Sequence, residues 1–118
     1  MRTWFCFLFL SLATAGAAAA PQSEIEGLLI YVQQLDGAVF IRNGSEHTAA
    51  EAAAHMRMKW EKQTDKVKTA EDFIALCGTQ SLLSGERYRI RFKDGRTRDS
   101  AEVLRERLAE LRNGSKKS

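Results

Sequence analysis

The chain has 118 residues, two cysteines and a formal net charge of +3. This length supports one modest hydrophobic core and therefore one domain. The small net charge excludes a protein that attracts its partners by long-range electrostatics. The sequence also lacks the G-x-x-x-x-G-K and G-x-G-x-x-G motifs that bind phosphates.

The first 20 residues predict a secretory signal peptide. Arg2 provides a positive start, residues 4–20 carry no charge, and bulky apolar residues give way to alanines towards Ala20. The stretch is too short and too rich in alanine for a stable membrane span. Cleavage there places the remaining chain in the periplasm or outside the cell, where ATP and NAD(P)H are not normally supplied. We therefore expect no cofactor.

This leader divides the chain into three segments. A cleaved signal peptide occupies residues 1–20, a single domain residues 21–112, and a disordered polar tail residues 113–118. Cys6 leaves with the leader, so the mature chain keeps only Cys77, which excludes an internal disulfide. Two alternatives stay open for Cys77: a buried small hydrophobic residue, or a bridge between two chains.

Four helices are predicted from capping residues, each followed three positions later by an acid whose carboxylate reaches back to the backbone. The pairs are Ser23 with Glu26, Thr48 with Glu51, Thr69 with Asp72, and Asp99 with Glu102. Apolar residues at helical spacing give each helix one face to bury. In chain order these faces hold Ile25, Leu28, Leu29, Val32 and Leu35; Ala49, Ala53, Met56 and Trp60; Phe73, Ile74 and Cys77; and Val103, Leu104, Leu108 and Leu111.

Strands are predicted in three places. Residues 38–42 form a short strand that is apolar up to Ile41 and ends at Asn43-Gly44, a strong signal for a tight turn. Residues 86–92 alternate strictly, and a short return strand follows over residues 96–98. One face of the alternating strand is apolar (Tyr88, Ile90 and Phe92), and the other is basic (Arg87, Arg89 and Arg91). The order α-β-α-α-β-β-α predicts an α+β fold, in which a small antiparallel sheet of two to three strands packs against about four helices.

Several short sequence words follow one another in a fixed order. They are residues 40–44 (FIRNG), 49–59 (AAEAAAHMRMK), 69–74 (TAEDFI) and 81–85 (SLLSG), followed by Tyr88. In these words the chain resembles the YfeK-like family of small exported proteins from Proteobacteria, over nearly the whole mature chain. That family is a domain of unknown function. The resemblance therefore implies an exported, periplasmic location, and it implies no activity, cofactor or partner.

The basic face of the alternating strand is a candidate binding surface. Arg87, Arg89 and Arg91, with Arg96 and Arg98 on the return strand, are expected to share one sheet face. Guanidinium groups bind an acidic protein, a lipid phosphate or the acid group of a glycan through bidentate hydrogen bonds. The expected compartment argues against nucleic acid. The alternative is a solvated face that keeps the sheet from pairing edge to edge.

His55 is the strongest single candidate. Glu51, His55 and Lys59 are four residues apart, so they form a row beside the apolar stripe of their helix. A half-buried histidine in such a row can serve as a tuned acid or base, whereas the alternative is a surface charge ladder. Arg42 either pins the neighbouring turn or joins the basic face. No metal site is expected, because His47 and His55 form no recognised ligand motif.

These observations favour a small exported protein that is a non-enzymatic binding module for an anionic partner in the cell envelope. The predicted binding residues are Arg42, His55, Lys59, Arg87, Arg89, Arg91 and Arg96. The alternative is a small periplasmic hydrolase that uses His55 with Ser81 or Ser84. Catalysis by either serine would also need an oxyanion hole, and Ser84-Gly85 lacks the flanking glycines of a nucleophile elbow.

Overall fold

The structure is a computed structural model that describes residues 20–81 and 83–117, so nearly all of the predicted leader lies outside it. The described elements are α1 (Pro21–Gln33), β1 (Val39–Arg42), β2 (Ser45–His47), α2 (Ala49–Glu61), α3 (Ala70–Cys77), β3 (Arg89–Arg91), β4 (Thr97–Asp99) and α4 (Ser100–Lys117). Within these two ranges, no helix has the length and apolar character needed to cross a membrane.

The strands form one antiparallel sheet in the order β2-β1-β3-β4. The predicted α+β class is confirmed, although the described sheet has four strands rather than two to three. Strand β2 escapes the sequence prediction because its three residues are polar and show no alternation. It pairs with β1 because Asn43 and Gly44, with φ of 52° and 78°, form a tight turn in the left-handed region.

The inner face of the sheet packs against the helices. Phe40 of β1 and Ile90 of β3 are opposite each other and buried, and Tyr88 is buried beside them. Arg87 and Arg89 are exposed, which confirms the predicted alternation of this strand. The helices contribute most of the rest of the core: Ile25, Leu28, Leu29, Val32, Ala52, Ala53, Met56, Ala70, Phe73, Ile74, Cys77, Ala101, Val103, Leu104 and Leu108.

Two of the predicted helix starts have the expected caps. Thr48 and Thr69 each accept a hydrogen bond from the amide three residues on, and the acid there accepts one from the capping residue's own amide. The prediction at Ser23 is wrong, because α1 begins two residues earlier at Pro21. Proline suits a first helical position, since the amide it lacks would have no partner inside the helix.

Helix α4 continues to Lys117, through the residues that the sequence predicts as a disordered tail. Extending an existing helix costs little per residue, because nucleation is already complete. The polar composition of residues 113–117 therefore does not by itself end the helix. Arg112 is partly buried and residues 113 and 114 are exposed, so the predicted boundary falls inside the helix, at the point where its described side chains become exposed.

Cys77 lies at the end of α3, completely buried, and it is free among the described residues. Burial raises the pKa of its thiol to about 11, since the surroundings disfavour the thiolate. This environment agrees with the first of the two alternatives, a small hydrophobic residue in the core. The chain leaves α3 at Gly78, where an added Cβ would lie 2.6 Å from Cδ1 of Leu104.

Helix α2, which carries His55 and Lys59, is anchored to α1 by an ion pair. Both Nη atoms of Arg57 donate to the carboxylate of Glu26, at 3.0 and 2.6 Å. Helix α2 also buries a face slightly different from the predicted one, because Ala52 and Lys59 are buried whereas Ala49 and Trp60 are only partly buried. This orientation directs Lys59 towards the interior of the domain and leaves His55 partly buried.

Candidate functional site

The arginines on the outer face of the sheet are paired with carboxylates of the same chain. Nε of Arg87 donates to Asp99 at 2.9 Å, and Nε of Arg89 lies 3.9 Å from the same carboxylate. Nη2 of Arg91 donates to Glu46 at 2.9 Å. The positive charge of the predicted basic surface is therefore largely neutralised by Asp99 and Glu46.

The remaining two arginines do not join this face, which corrects the expectation of five guanidinium groups on one surface. Arg96 lies in the turn before β4 and donates to Asp94 at 2.9 Å. Arg98 is opposite Ile90 in the β3–β4 register, so it lies on the inner side of the sheet. There it donates to Glu102 and Glu106 of α4.

A cavity of about 200 Å³ lies between the β1–β2 hairpin and α2. The register places Phe40 opposite His47, so both residues share the inner face of the sheet above the helix. On α2, Glu51 and His55 are one turn apart, and they line the cavity from the side of the helix. The cavity is lined by Phe40, Ile41, Arg42, His47, Glu51, Ala52, His55, Met56 and Tyr88.

Arg42 belongs to this cavity and not to the outer face. It follows Phe40 by two residues, so it shares the inner side of β1. Its Nη1 lies 2.7 Å from Nδ1 and 2.8 Å from Nε2 of His55. Throughout residues 20–81 and 83–117, no carboxylate pairs with Arg42.

His55 is held in its neutral form. Its pKa is lowered from 6.5 to about 4, first by burial and then by the positive charges of Arg42 and Lys59. Nε2 of His55 lies 3.3 Å from the hydroxyl of Tyr88, and the two rings meet edge to face with centroids 6.1 Å apart. At neutral pH the ring can therefore accept one hydrogen bond and donate another.

Lys59 lies behind Tyr88 with an exposed fraction of only 7%. Its Nζ donates to the Tyr88 hydroxyl at 3.1 Å and to the Gln80 carbonyl at 3.2 Å, and it lies 5.1 Å from the centre of the tyrosine ring. In the described part of the chain it has no carboxylate partner. A buried ammonium without a counter-ion is uncommon, because burying an unpaired charge costs on the order of several kcal/mol.

The predicted row of Glu51, His55 and Lys59 does not form a charge ladder. Glu51 is exposed, and its Oε1 accepts from the backbone amide of Thr48 at 2.9 Å. The same oxygen lies 3.7 Å from Nδ1 of His47, so this carboxylate is directed towards His47 rather than His55. The row therefore runs from a solvated acid, through a neutral histidine, to a buried cation.

Hydrogen-bond donors exceed acceptors at the polar end of the cavity. Arg42 and Lys59 only donate, and a neutral His55 offers a single unprotonated nitrogen. The Tyr88 hydroxyl accepts from Lys59, which leaves its own proton to donate. In either tautomer of His55, its one acceptor cannot satisfy both Arg42 and Tyr88. This excess of donors favours a group that accepts hydrogen bonds, and an anion accepts them most strongly.

The two candidate serines make local contacts instead of contacting His55. Nδ2 of Asn43 donates to Oγ of Ser81 at 3.0 Å, and Oγ of Ser84 donates to Oδ1 of the same asparagine. The backbone amide of Glu86 donates to Ser84 at 3.1 Å. Ser81 is buried and Ser84 is exposed, so neither serine is presented to the imidazole as a nucleophile.

Sequence reasoning did not identify Tyr88 and His47 as site residues. Tyr88 was expected to be a core residue, and it is buried, but its hydroxyl joins Lys59 to His55. His47 lines the same cavity, and its buried Nε2 has no hydrogen-bond partner among the described residues. The hairpin turn was the one available signal, because folding at Asn43-Gly44 brings His47 beside Phe40. Among the described side chains, no group of three His, Cys, Asp or Glu is arranged to hold a metal ion.

The fold and the site define a small α+β domain with a cavity beside its sheet, and the polar part of its lining consists of Arg42, His47, Glu51, His55 and Tyr88. The chain belongs to the family of unknown function DUF5329, whose family model matches residues 19–112. It is similar to the uncharacterized protein YfeK of Salmonella typhimurium, with 32% identity over 76 residues. This match covers 64% of the chain and 63% of the length of the relative. The predicted YfeK-like resemblance is thereby confirmed, and no solved structure matches significantly.

Proposed function

We propose that this domain is an exported, non-enzymatic protein that binds an anionic group in the cavity between the β1–β2 hairpin and α2. The charge distribution of the leader supports export to the periplasm. The ligand belongs to the cell envelope or to the periplasmic solution, and its acidic group enters beside Arg42.

This proposal rests on two positively charged side chains whose charge is not compensated by a carboxylate in the described residues. Arg87, Arg91 and Arg96 each donate to a carboxylate at 2.9 Å. Arg42 and Lys59 have no carboxylate partner in the described residues, although Lys59 is buried. An anion beside Arg42 would supply the missing negative charge, and its oxygens would accept the hydrogen bonds that the cavity leaves unmatched.

Two features support a role in binding rather than catalysis. With a pKa of about 4, His55 is a weak base at neutral pH, whereas an efficient general base has a pKa near the working pH. Ser81 and Ser84 are engaged with Asn43. The geometry therefore favours the binding module over the hydrolase that uses His55 with either serine.

The test titrates the protein, as purified from the envelope fraction, with acetate and inorganic phosphate at low salt. Mass spectrometry of the same sample checks for a mature start near Pro21. We expect amide chemical-shift changes around Arg42, His55 and Tyr88. Arg42→Gln should lower the affinity by about 10- to 100-fold, because hydrogen bonds to charged groups contribute about 1.5–3 kcal/mol.

The matched control is Arg96→Gln, which removes the same charge from an arginine that is already paired with Asp94. This variant should bind the probes as the unmodified protein does. The proposal is wrong if no anion perturbs the cavity, or if Arg42→Gln and Arg96→Gln weaken binding equally.

A further inference from the structure

We propose that the ligand is a small monocarboxylic acid whose apolar body, of about the size of one aromatic ring, occupies the inner part of the cavity. This inference rests on the proposed function and names the chemical class of the ligand. Three properties of the cavity carry it: its apolar wall, its volume and its charge.

The cavity combines an apolar lining with hydrogen-bond donors. Phe40 comes from β1, and Ala52 and Met56 come from α2; all three line the cavity and are at most 8% exposed. Arg42 and Tyr88 form the polar end. A ligand that fills this space therefore needs both an acceptor group and a hydrophobic body.

The volume limits the size of that body. An apolar cavity of roughly 150 Å³ is sufficient to hold a benzene molecule. The cavity here, of about 200 Å³, therefore accommodates one ring or a short branched chain together with a carboxylate. A phospholipid or an oligosaccharide could place only a terminal fragment inside it.

The charges favour a carboxylate over a phosphate. The planar guanidinium of Arg42 matches either anion, and the Tyr88 hydroxyl provides a further donor, so the discrimination depends on the other charge in the cavity. Glu51 lines the same cavity, and its carboxylate repels a phosphate with two negative charges more strongly than a carboxylate with one. Because His55 is neutral, it does not offset that repulsion.

The experiment compares four probes on the full chain by calorimetry and amide chemical shifts at pH 7: benzoate, acetate, inorganic phosphate and benzyl alcohol. Benzoate should bind at least about tenfold more tightly than acetate, because its ring is removed from water. It should also bind at least about tenfold more tightly than benzyl alcohol, which lacks the charge. Phosphate should bind no better than acetate.

Ala52→Val narrows the apolar part of the cavity and should reduce the preference for benzoate over acetate by about fivefold or more. Its control is Ala54→Val, the same change at an exposed position of α2. Acetate binding by Ala52→Val reports whether the polar end of the cavity has stayed intact. If that variant does not fold, the four-probe comparison on the unmodified chain decides alone.

The two proposals fail in different ways. If acetate or phosphate binds at Arg42 as tightly as benzoate does, anion binding stands and the carboxylic acid with an apolar body is ruled out. If benzyl alcohol matches benzoate, the charge is irrelevant and both proposals are overturned. If none of the four probes perturbs the cavity, the proposed function itself is wrong.

Discussion

Arg89 on β3 and Arg42 on β1 occupy neighbouring strands of one sheet, but their electrostatic environments are opposite. Arg89 lies on the exposed outer face, where Asp99 is shared between it and Arg87. Arg42 lies on the inner side against a neutral histidine, with no carboxylate partner in the described residues. The difference shows that a cluster of arginines in a sequence does not locate a binding site unless their counter-charges are also known.

The counter-charges of the outer face come from a distance along the chain. The segment over residues 86–98 reads as strongly basic, yet Glu46 reaches Arg91 from β2, on the other side of β1. Asp99 comes from the next strand, β4. Cross-strand pairing thus converts a basic sequence segment into a nearly neutral surface.

The largest effect on ligand binding is expected when the cavity is given a carboxylate of its own, as the arginines of the outer face already have. His55→Glu places a carboxylate beside Arg42 and Lys59, so we expect acetate affinity to fall by at least about tenfold. Titration by amide chemical shifts measures this loss. Ala54→Glu adds the same charge at an exposed site of α2 and should have little effect. Equal losses in both variants would mean that net charge, and not local compensation, governs binding.

A second prediction concerns acid stability. The pKa of His55 is about 4 in the folded protein and 6.5 ordinarily, so the unfolded chain binds more protons between these values. Its contribution to stability is fully present above pH 6.5 and is lost as the pH falls towards 4. We expect a loss of about 1–2 kcal/mol in the free energy of unfolding, a range already reduced for the partial exposure of the ring.

Urea unfolding at several pH values between 6.5 and 4.5 measures this dependence. The matched variant is His55→Gln, which cannot titrate, so its stability should fall less over the same range. Carboxylate titration does not obscure the comparison, because it is common to both proteins; in each of them, for example, the hydrogen bond from Arg98 holds the pKa of Glu106 below its usual value. Parallel curves for the two proteins would contradict the assignment of a neutral His55.

The smallest effect is expected from removing counter-charges on the outer face. The double variant Glu46→Gln and Asp99→Asn leaves Arg87, Arg89 and Arg91 without their carboxylate partners. We expect this variant to gain weak phosphate binding, observed at the amides of β3, that the unmodified protein does not show. The binding should weaken as salt is added, because salt screens exposed charges. Stability should change by less than about 1 kcal/mol, as is usual for exposed ion pairs.

The control for this gain is the double variant Glu61→Gln and Asp65→Asn, which changes the net charge equally at two exposed positions. It should gain no phosphate site on the sheet. If both double variants bind phosphate at β3, or if neither does, the ion pairs with Glu46 and Asp99 are not what prevents the outer face from binding phosphate.

Local contacts are the part of this fold that the sequence predicts well. The caps at Thr48 and Thr69 involve residues three apart, and the alternation around Ile90 follows from the geometry of a single strand. The face occupied by Arg98 could not be predicted, because it depends on which residue of β3 lies opposite. Strand β2 likewise exists only through its pairing with β1.

The same distinction explains what could be predicted of the candidate site. The four-residue spacing identified His55 and Lys59 as neighbours on α2, and that information is local. Arg42 lies 13 residues from His55 and Tyr88 lies 33 residues from it, so their meeting depends on the tertiary fold. The burial of Lys59 could not be predicted either, because a lysine beside an apolar stripe usually extends into solvent.

Asn43 satisfies two independent chemical requirements at the edge of the cavity. Its φ of 52° restricts the position to residues that tolerate a left-handed backbone, chiefly glycine, asparagine and aspartate. Its side chain also donates to Ser81 and accepts from Ser84, which only a carboxamide can do in this arrangement. Asparagine alone belongs to both groups, so one amide fixes the hairpin turn that follows Arg42 to the loop that leads to Tyr88.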